Sequence, residues 1–190
     1  MRTAEEFAVE HVPDSINIAL SGQFASWAGA VLGLSTRPIL IAASPEQVEE
    51  ARMRLARVGI EDVQGYLDGG VQGWKQAGLA TSRIKQMTVT ELQDHLASHD
   101  YEVLDVRRQG EWDAGHIKGA ELYPLDRFKG ALPSLNSAKP TAVHCKSGYR
   151  SMIAASLLQR AGHDVTNVIG GFDAWDQAQL PKASGAAVAV

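Results

Sequence analysis

The single cysteine of the chain, Cys145, lies in the segment Val143, His144, Cys145, Lys146, Ser147, Gly148, Tyr149, Arg150, Ser151. One cysteine forms no internal disulfide and supplies too few thiolates for a thiolate metal site, so neither a metal nor another cofactor is expected. Three readings remain: a buried core residue, an incidental surface thiol, or a nucleophile. Taken without its neighbours the core reading leads, because free cysteine is among the most buried residue types. The neighbours change that order. The segment runs from an apolar strand over 140–144 into a helix over 150–161, and open parallel sheets place their ligands at that position. A loop curling around the Cys145 side chain aims backbone N–H groups inward and makes an anion cradle. Gly148 allows the tight turn, while the helix N-terminus and the cations Lys146 and Arg150 favour thiolate over thiol.

The elements that position this loop occur twice. Arg2, Glu6, Phe7, His11 and Val12 align without a gap with Arg107, Glu111, Trp112, His116 and Ile117. Leu67, Asp68, Gly69, Gly70, Val71 and Trp74 align with Val168, Ile169, Gly170, Gly171, Phe172 and Trp175. A period of roughly one hundred residues is that of a domain rather than a solenoid repeat. The reading is therefore residues 1–82, residues 87–182, a boundary near 83–87, and a disordered tail over 183–190 that lacks caps and charges. The second unit predicts a helix over 90–98 capped by Thr88, strands over 101–106, 140–144 and 165–169, and the helix over 150–161 closed by Gly162. The first predicts a strand over 38–42, a helix over 45–58 stopped by Gly59, and a strand ending before Gly69. Strands separated by helices imply an α/β fold with a mainly parallel sheet flanked by helices in each unit.

In the first unit nothing precedes Arg2 to match the helix and strand over 90–106, so that unit is expected to be truncated at its N-terminus. Two accounts are open: the chain is a piece of a longer protein, or another copy or a rearranged edge supplies the strand. Its matching loop reads Ala42, Ala43, Ser44, Pro45, Glu46, Gln47. The nucleophile is absent, Glu46 brings negative charge, and Gln47 replaces the matching Arg150. A structural or docking role is expected.

The loop from His144 to Ser151, the run Asp105, Val106, Arg107, the run Gly115, His116, Ile117 and the run from Gly170 to Trp175 together resemble a rhodanese domain over residues 87–181. The resemblance implies two rhodanese-like domains and, for the second, a sulfurtransferase that moves sulfane sulfur from thiosulfate or a persulfide to a thiol or other nucleophile. Carried over, Cys145 is the nucleophile that becomes a persulfide, and Lys146, Ser147, Gly148, Tyr149 and Arg150 bind the donor anion and the persulfide. Four residues separate Cys145 from Arg150; related phosphatases use five, and the tighter ring suits sulfur rather than a phosphoryl group. Implied partners are thiosulfate, sulfite, and glutathione or its persulfide. A cysteine-free unit followed by an active one is also similar to the C-terminal part of fusions that begin with a metallo-β-lactamase-fold persulfide dioxygenase, and residues 24–33, with Trp27, add to that likeness. Such a dioxygenase is an implied fused or associated partner; no iron or zinc site is expected in these residues. A rival reading makes the chain a persulfide carrier or docking module without turnover of its own. A purely architectural tandem predicts an inaccessible, inert Cys145.

The net charge of −4 comes from interleaved acids and bases, so no basic face is offered to nucleic acid or anionic lipid. Apolar runs such as residues 39–43 fall far short of the roughly 20 that span a bilayer. The residues after Met1 lack the pattern of a secretory signal, and a cytoplasmic location is expected. His144 is explained by packing at a strand end as well as by catalysis. His11, His116, Arg2 and Arg107 recur with or without the cysteine and read as structural; Asp105 and Arg107 brace the pocket base or pair with each other. Trp74 and Trp175 read as core. Tyr149 and the loop over 126–136 shape access to the cysteine.

Overall fold

Buried β-branched and apolar runs punctuated by glycine give the chain its elements, and in the computed structural model, which describes residues 1–185, they group into two compact units, the first Met1–Arg83 and the second starting at Ile84. In the first unit the order is α1 (Ala4–Val9), α2 (Phe24–Leu32), β1 (Ile39–Leu40), α3 (Pro45–Ala56), β2 (Gly65–Tyr66) and α4 (Gly70–Gln76). In the second it is β3 (Lys85–Met87), α5 (Val89–Ser98), β4 (Glu102–Asp105), α6 (Gln109–Ala114), β5 (His116–Ile117), β6 (Glu121–Leu122), a 3-10 turn at Leu125–Arg127, β7 (Thr141–His144), α7 (Tyr149–Arg160), β8 (Val165–Val168), α8 (Gly171–Gln177) and β9 (Lys182–Ala183).

The second unit is built on a five-stranded, all-parallel sheet in the order β3-β8-β7-β4-β6. Every residue of β7 and β8 is buried, as central strands covered on both faces require. Met87, Val89, Leu92, Val103, Ile117, Ala142, Val168 and Trp175 form one contiguous core. α5 starts where the sequence indicates: Thr88 accepts from the Glu91 N–H and the Glu91 carboxylate takes the Thr88 N–H, a capping box that satisfies two otherwise orphaned donors. The first unit carries two parallel strands, β1 and β2, with Leu40 opposite Tyr66, and α3 starts from the cap Ser44 with proline at its first position.

Three expectations are corrected. The break expected near 83–87 falls after Arg83, and the second unit, expected to start at 87, takes in Lys85–Met87, which pair with β8 as an edge strand. Its alternation is polar and exposed except at Met87, so composition alone hid it. Trp175 is core, with its indole donating to the Pro181 carbonyl at 3.1 Å, but Trp74 is only half-buried, although its indole makes the matching bond to Ala80 at 2.8 Å. In the expected tail, Ala183 is held in β9 opposite His116; residues 186–190 of it lie outside the described residues.

The repeat survives at atomic detail. Arg2 donates to the Glu10 carbonyl at 2.5 Å and Arg107 to the Gly115 carbonyl at 2.8 Å. His11 stacks on Phe7 at 3.9 Å and bonds its carbonyl, and His116 does the same with Trp112 at 3.7 Å. The Met1 nitrogen bonds to the Ile41 carbonyl, as the Val106 N–H bonds to that of His144. This last pair makes Ile41 the counterpart of His144 and Ala42 that of Cys145.

Candidate active site

β7 ends at His144, and the chain turns at once into α7 through Cys145, Lys146, Ser147 and Gly148. Gly148 is the N-cap of α7 with φ of +115°, a backbone setting that side chains rarely tolerate. That turn aims the Gly148 N–H at the Cys145 sulfur, 3.2 Å away. The Ser151 hydroxyl lies 3.6 Å from the same sulfur, one helical turn further on. Cys145 itself is only 1 % exposed. The sulfur is therefore buried beside the exposed loop residues Lys146 and Ser147.

The loop is pinned from below by α8. The Phe172 N–H donates to the Cys145 carbonyl at 2.8 Å and the Asp173 N–H to that of Lys146 at 2.9 Å. This approach is possible because residue 171 is glycine: a Cβ there would lie 2.5 Å from the Cys145 carbonyl oxygen and 2.8 Å from that of Lys146.

The two cations expected at the sulfur are each engaged elsewhere. Lys146, which is exposed, pairs with the half-buried Asp173 at 2.8 Å. Arg150 makes a two-pronged pair with Glu111 on α6, at 2.6 and 2.7 Å, in a half-buried setting. The bonds from Arg150, aided by the Arg108 N–H, pull the Glu111 carboxyl down to about 2 against its partial burial. Arg150 is raised in turn, first by those bonds, and negative charge on Cys145 acts in the same direction. Arg150 thus ties α7 to α6 and adds a positive field near the sulfur without a hydrogen bond to it. Tyr149 is the first residue of α7 and half-buried.

Behind the loop, the Asp105 carboxylate takes three kinds of donor from Arg107: its backbone N–H at 2.9 Å, Nε at 3.0 Å and Nη2 at 2.7 Å. Arg107 also lies over the Phe172 ring at 4.1 Å, so this buried pair joins the exit of β4 to α8. His144 is fully buried, with Nδ1 3.3 Å from the Cys145 carbonyl and Nε2 3.6 Å from Asp105, beyond hydrogen-bonding reach. Burial holds its pKa below the ordinary value, and Arg107 adds to this against the pull of Asp105.

Four residues of this site escaped the sequence reading. Glu111 and Asp173 partner the loop cations from distant segments. Ser151 sits next to the sulfur, and its hydroxyl is 2.7 Å from the Asn167 side-chain oxygen. Asn167 had a signal: it is a polar residue in the middle of the buried strand β8. The first unit has Val48 where the second has Ser151, and strand register puts Tyr66 where the second has Asn167.

The model of the rhodanese-like domain matches the chain twice, over residues 1–77 and 88–178. The chain is 33% identical over 89 residues to the uncharacterized protein YqhL of Bacillus subtilis, covering 46% of this chain and 71% of that one. It is 29% identical over 99 residues to the thiosulfate sulfurtransferase GlpE of Pseudoalteromonas translucida, covering 52% of this chain and 94% of that one. With the probable adenylyltransferase/sulfurtransferase MoeZ of Mycobacterium tuberculosis it shares 34% identity over 108 residues, 54% of this chain but only 28% of MoeZ. Among solved structures, a rhodanese-related protein from Thermoplasma volcanium aligns at 27% identity with a TM-score of 0.49, over 52% of this chain and 97% of that one. With the family model matched in both units, the chain belongs to the rhodanese-like domain family.

Proposed function

We propose that the second unit is a sulfurtransferase in which Cys145 carries sulfane sulfur from thiosulfate or a persulfide to a thiol or other nucleophile. The observation that carries this reading is the sulfur of Cys145 held at a strand-to-helix turn, 3.2 Å from the Gly148 N–H. Relatives named as sulfurtransferases support it.

In the first half-reaction the Cys145 thiolate attacks the outer sulfur of thiosulfate. A new S–S bond forms on Cys145, the S–S bond of the donor breaks, and sulfite leaves with the electron pair. In the second, a thiolate such as that of glutathione attacks the outer sulfur of the persulfide, and Cys145 leaves as thiolate. No oxidant is consumed. The Gly148 N–H and the N-terminus of α7 stabilise negative charge on the sulfur in both steps, and the Arg150 charge near the loop attracts the incoming anion. Lys146 and Ser147, being exposed, are the residues an incoming donor meets first. The first unit acts as a docking or structural companion, and a persulfide-oxidising dioxygenase, fused or associated, fits as neighbour because it would consume the same persulfides.

The test is intact mass after incubation with thiosulfate, then with cyanide or glutathione, for the chain and for Cys145→Ala. A gain of one sulfur atom, absent from the variant and discharged by the small nucleophile, supports transfer. An adduct that small nucleophiles leave in place makes the unit a carrier for a docked protein. No adduct from thiosulfate or glutathione persulfide overturns both.

A further inference from the structure

A line of polar side chains runs beneath the reactive loop and has no part in the sulfur transfer described above. The Ser151 hydroxyl is buried and touches three groups: the Cys145 sulfur at 3.6 Å, the Gly148 carbonyl at 3.1 Å and the Asn167 amide oxygen at 2.7 Å. Asn167 is 3 % exposed, and its amide nitrogen lies 3.5 Å from the amide oxygen of Gln86, an exposed residue of β3. The line therefore leads from the buried thiol, across two strands, to the surface.

A hydroxyl has one proton to give. With the Asn167 oxygen at 2.7 Å that proton goes to the amide, and Ser151 offers the sulfur only a lone pair. This arrangement suits a thiol, which donates its own S–H to Ser151. A thiolate has no proton; the Gly148 N–H already points at it, and for Ser151 to donate as well its proton must swing to the sulfur, leaving the hydroxyl and amide oxygens facing each other without a proton between them. An amide resolves the conflict by turning over, because its two ends have the same shape: the NH2 group then donates to Ser151, and the Gln86 amide turns to follow. A carboxylate in either place cannot do this.

We propose that Asn167 is a positioning residue that, backed by Gln86, sets whether Ser151 accepts from Cys145 or donates to it. The first unit supports this assignment. Where the second has Cys145, Ser151 and Asn167, it has Ala42, Val48 and Tyr66, so the polar line is replaced together with the thiol it serves. The charged groups around the sulfur are otherwise committed: Lys146 to Asp173, Arg150 to Glu111, Arg107 to Asp105. His144 is held toward its neutral form by burial.

The inference rests on the functional reading only in taking Cys145 as the reactive group, and its test needs no sulfur donor. Alkylation of Cys145 by iodoacetamide is followed by intact mass from acid to alkaline pH. Asn167→Asp is expected to move the midpoint of the profile upward by about one pH unit, a roughly tenfold slower reaction below it. Gln86→Glu, on the surface and so no threat to folding, is expected to move it the same way by less. In a Ser151→Ala background both displacements shrink to what the added charge exerts through space. Profiles for Asn167→Asp and Gln86→Glu that overlay the unsubstituted chain overturn the proposal, as do displacements of the same size with and without Ser151. A chain that alkylates as expected but takes no sulfur from any donor would leave this inference standing while removing the functional one.

Discussion

At the end of β1 the chain reads Ala42, Ala43, Ser44, Pro45, and at the end of β7 it reads Cys145, Lys146, Ser147, Gly148. The local bracing of the two loops matches in the arginine-to-carbonyl bond, the stacked histidine and the paired glycines that bring a helix under the loop. The loops differ in what they do with their own N–H groups. In the first unit Ser44 takes the Gln47 N–H, the Gln47 side chain takes the Ala43 N–H, and Pro45 has no N–H where Gly148 directs one at sulfur. The first loop satisfies itself and starts its helix one residue earlier. The second leaves a donor for an anion. The two loops thus differ in the whole turn, of which the missing cysteine is one part.

The largest effect expected from this comparison is all-or-none. Cys145→Ala, which gives the second unit the residue of the first, is expected to abolish sulfur uptake measured by intact mass. The reverse change, Ala42→Cys, is expected to restore none in a Cys145→Ala background, because Pro45 presents no donor to the new sulfur. Sulfur uptake at position 42 of that double variant would show that the nucleophile alone separates the units.

The paired glycines give a graded test. A Cβ at Gly171 meets the Cys145 carbonyl at 2.5 Å, and one at Gly70 meets the Ala42 carbonyl; both residues also have φ near +55°. Gly171→Ala and Gly70→Ala are each expected to cost about 1–3 kcal/mol, read from denaturant midpoints. Only Gly171→Ala is expected also to slow sulfur loading, since only there does the displaced loop carry a nucleophile. Equal loading rates for the two would mean that the position of the loop does not matter to the chemistry.

Much of this was legible in the sequence because it rests on local signals. The capped helix at Thr88, the buried strands and the loop around Cys145 are each written in a few adjacent residues, and the repeat is written in identical spacings. What was not legible depends on residues far apart in the chain. Glu111 and Arg150 are 39 residues apart and Lys146 and Asp173 are 27 apart, so the cations read as free to face the sulfur when each had a carboxylate waiting. β3 is short and polar and becomes a strand only because β8 offers it an edge. Ser151 looked like an ordinary first-turn serine, and only the pairing of β7 with β8 brings Asn167 to it.

The smallest expected effect concerns the pair that distinguishes the two arginine positions. Glu6 and Glu111 play the same part at their helix starts, each accepting the N–H three residues earlier at 3.0 Å. Only Glu111 has a guanidinium above it, because Gln47 stands in the first unit where Arg150 stands in the second. Arg150→Gln copies the first unit and keeps the cap. As a partly exposed pair it is expected to contribute about 0.5–1 kcal/mol after screening by solvent. Its pH dependence has a definite sign. The folded state holds Glu111 at about 2 against an ordinary value of 4.5, so the unfolded chain binds the proton first. The contribution is complete above 4.5, declines as pH falls, and is gone below about 2. Denaturant midpoints of the unsubstituted chain and of Arg150→Gln should therefore differ at neutral pH and converge in acid. A difference that stays constant down to the acid end would place the role of Arg150 in packing against α6 rather than in its charge.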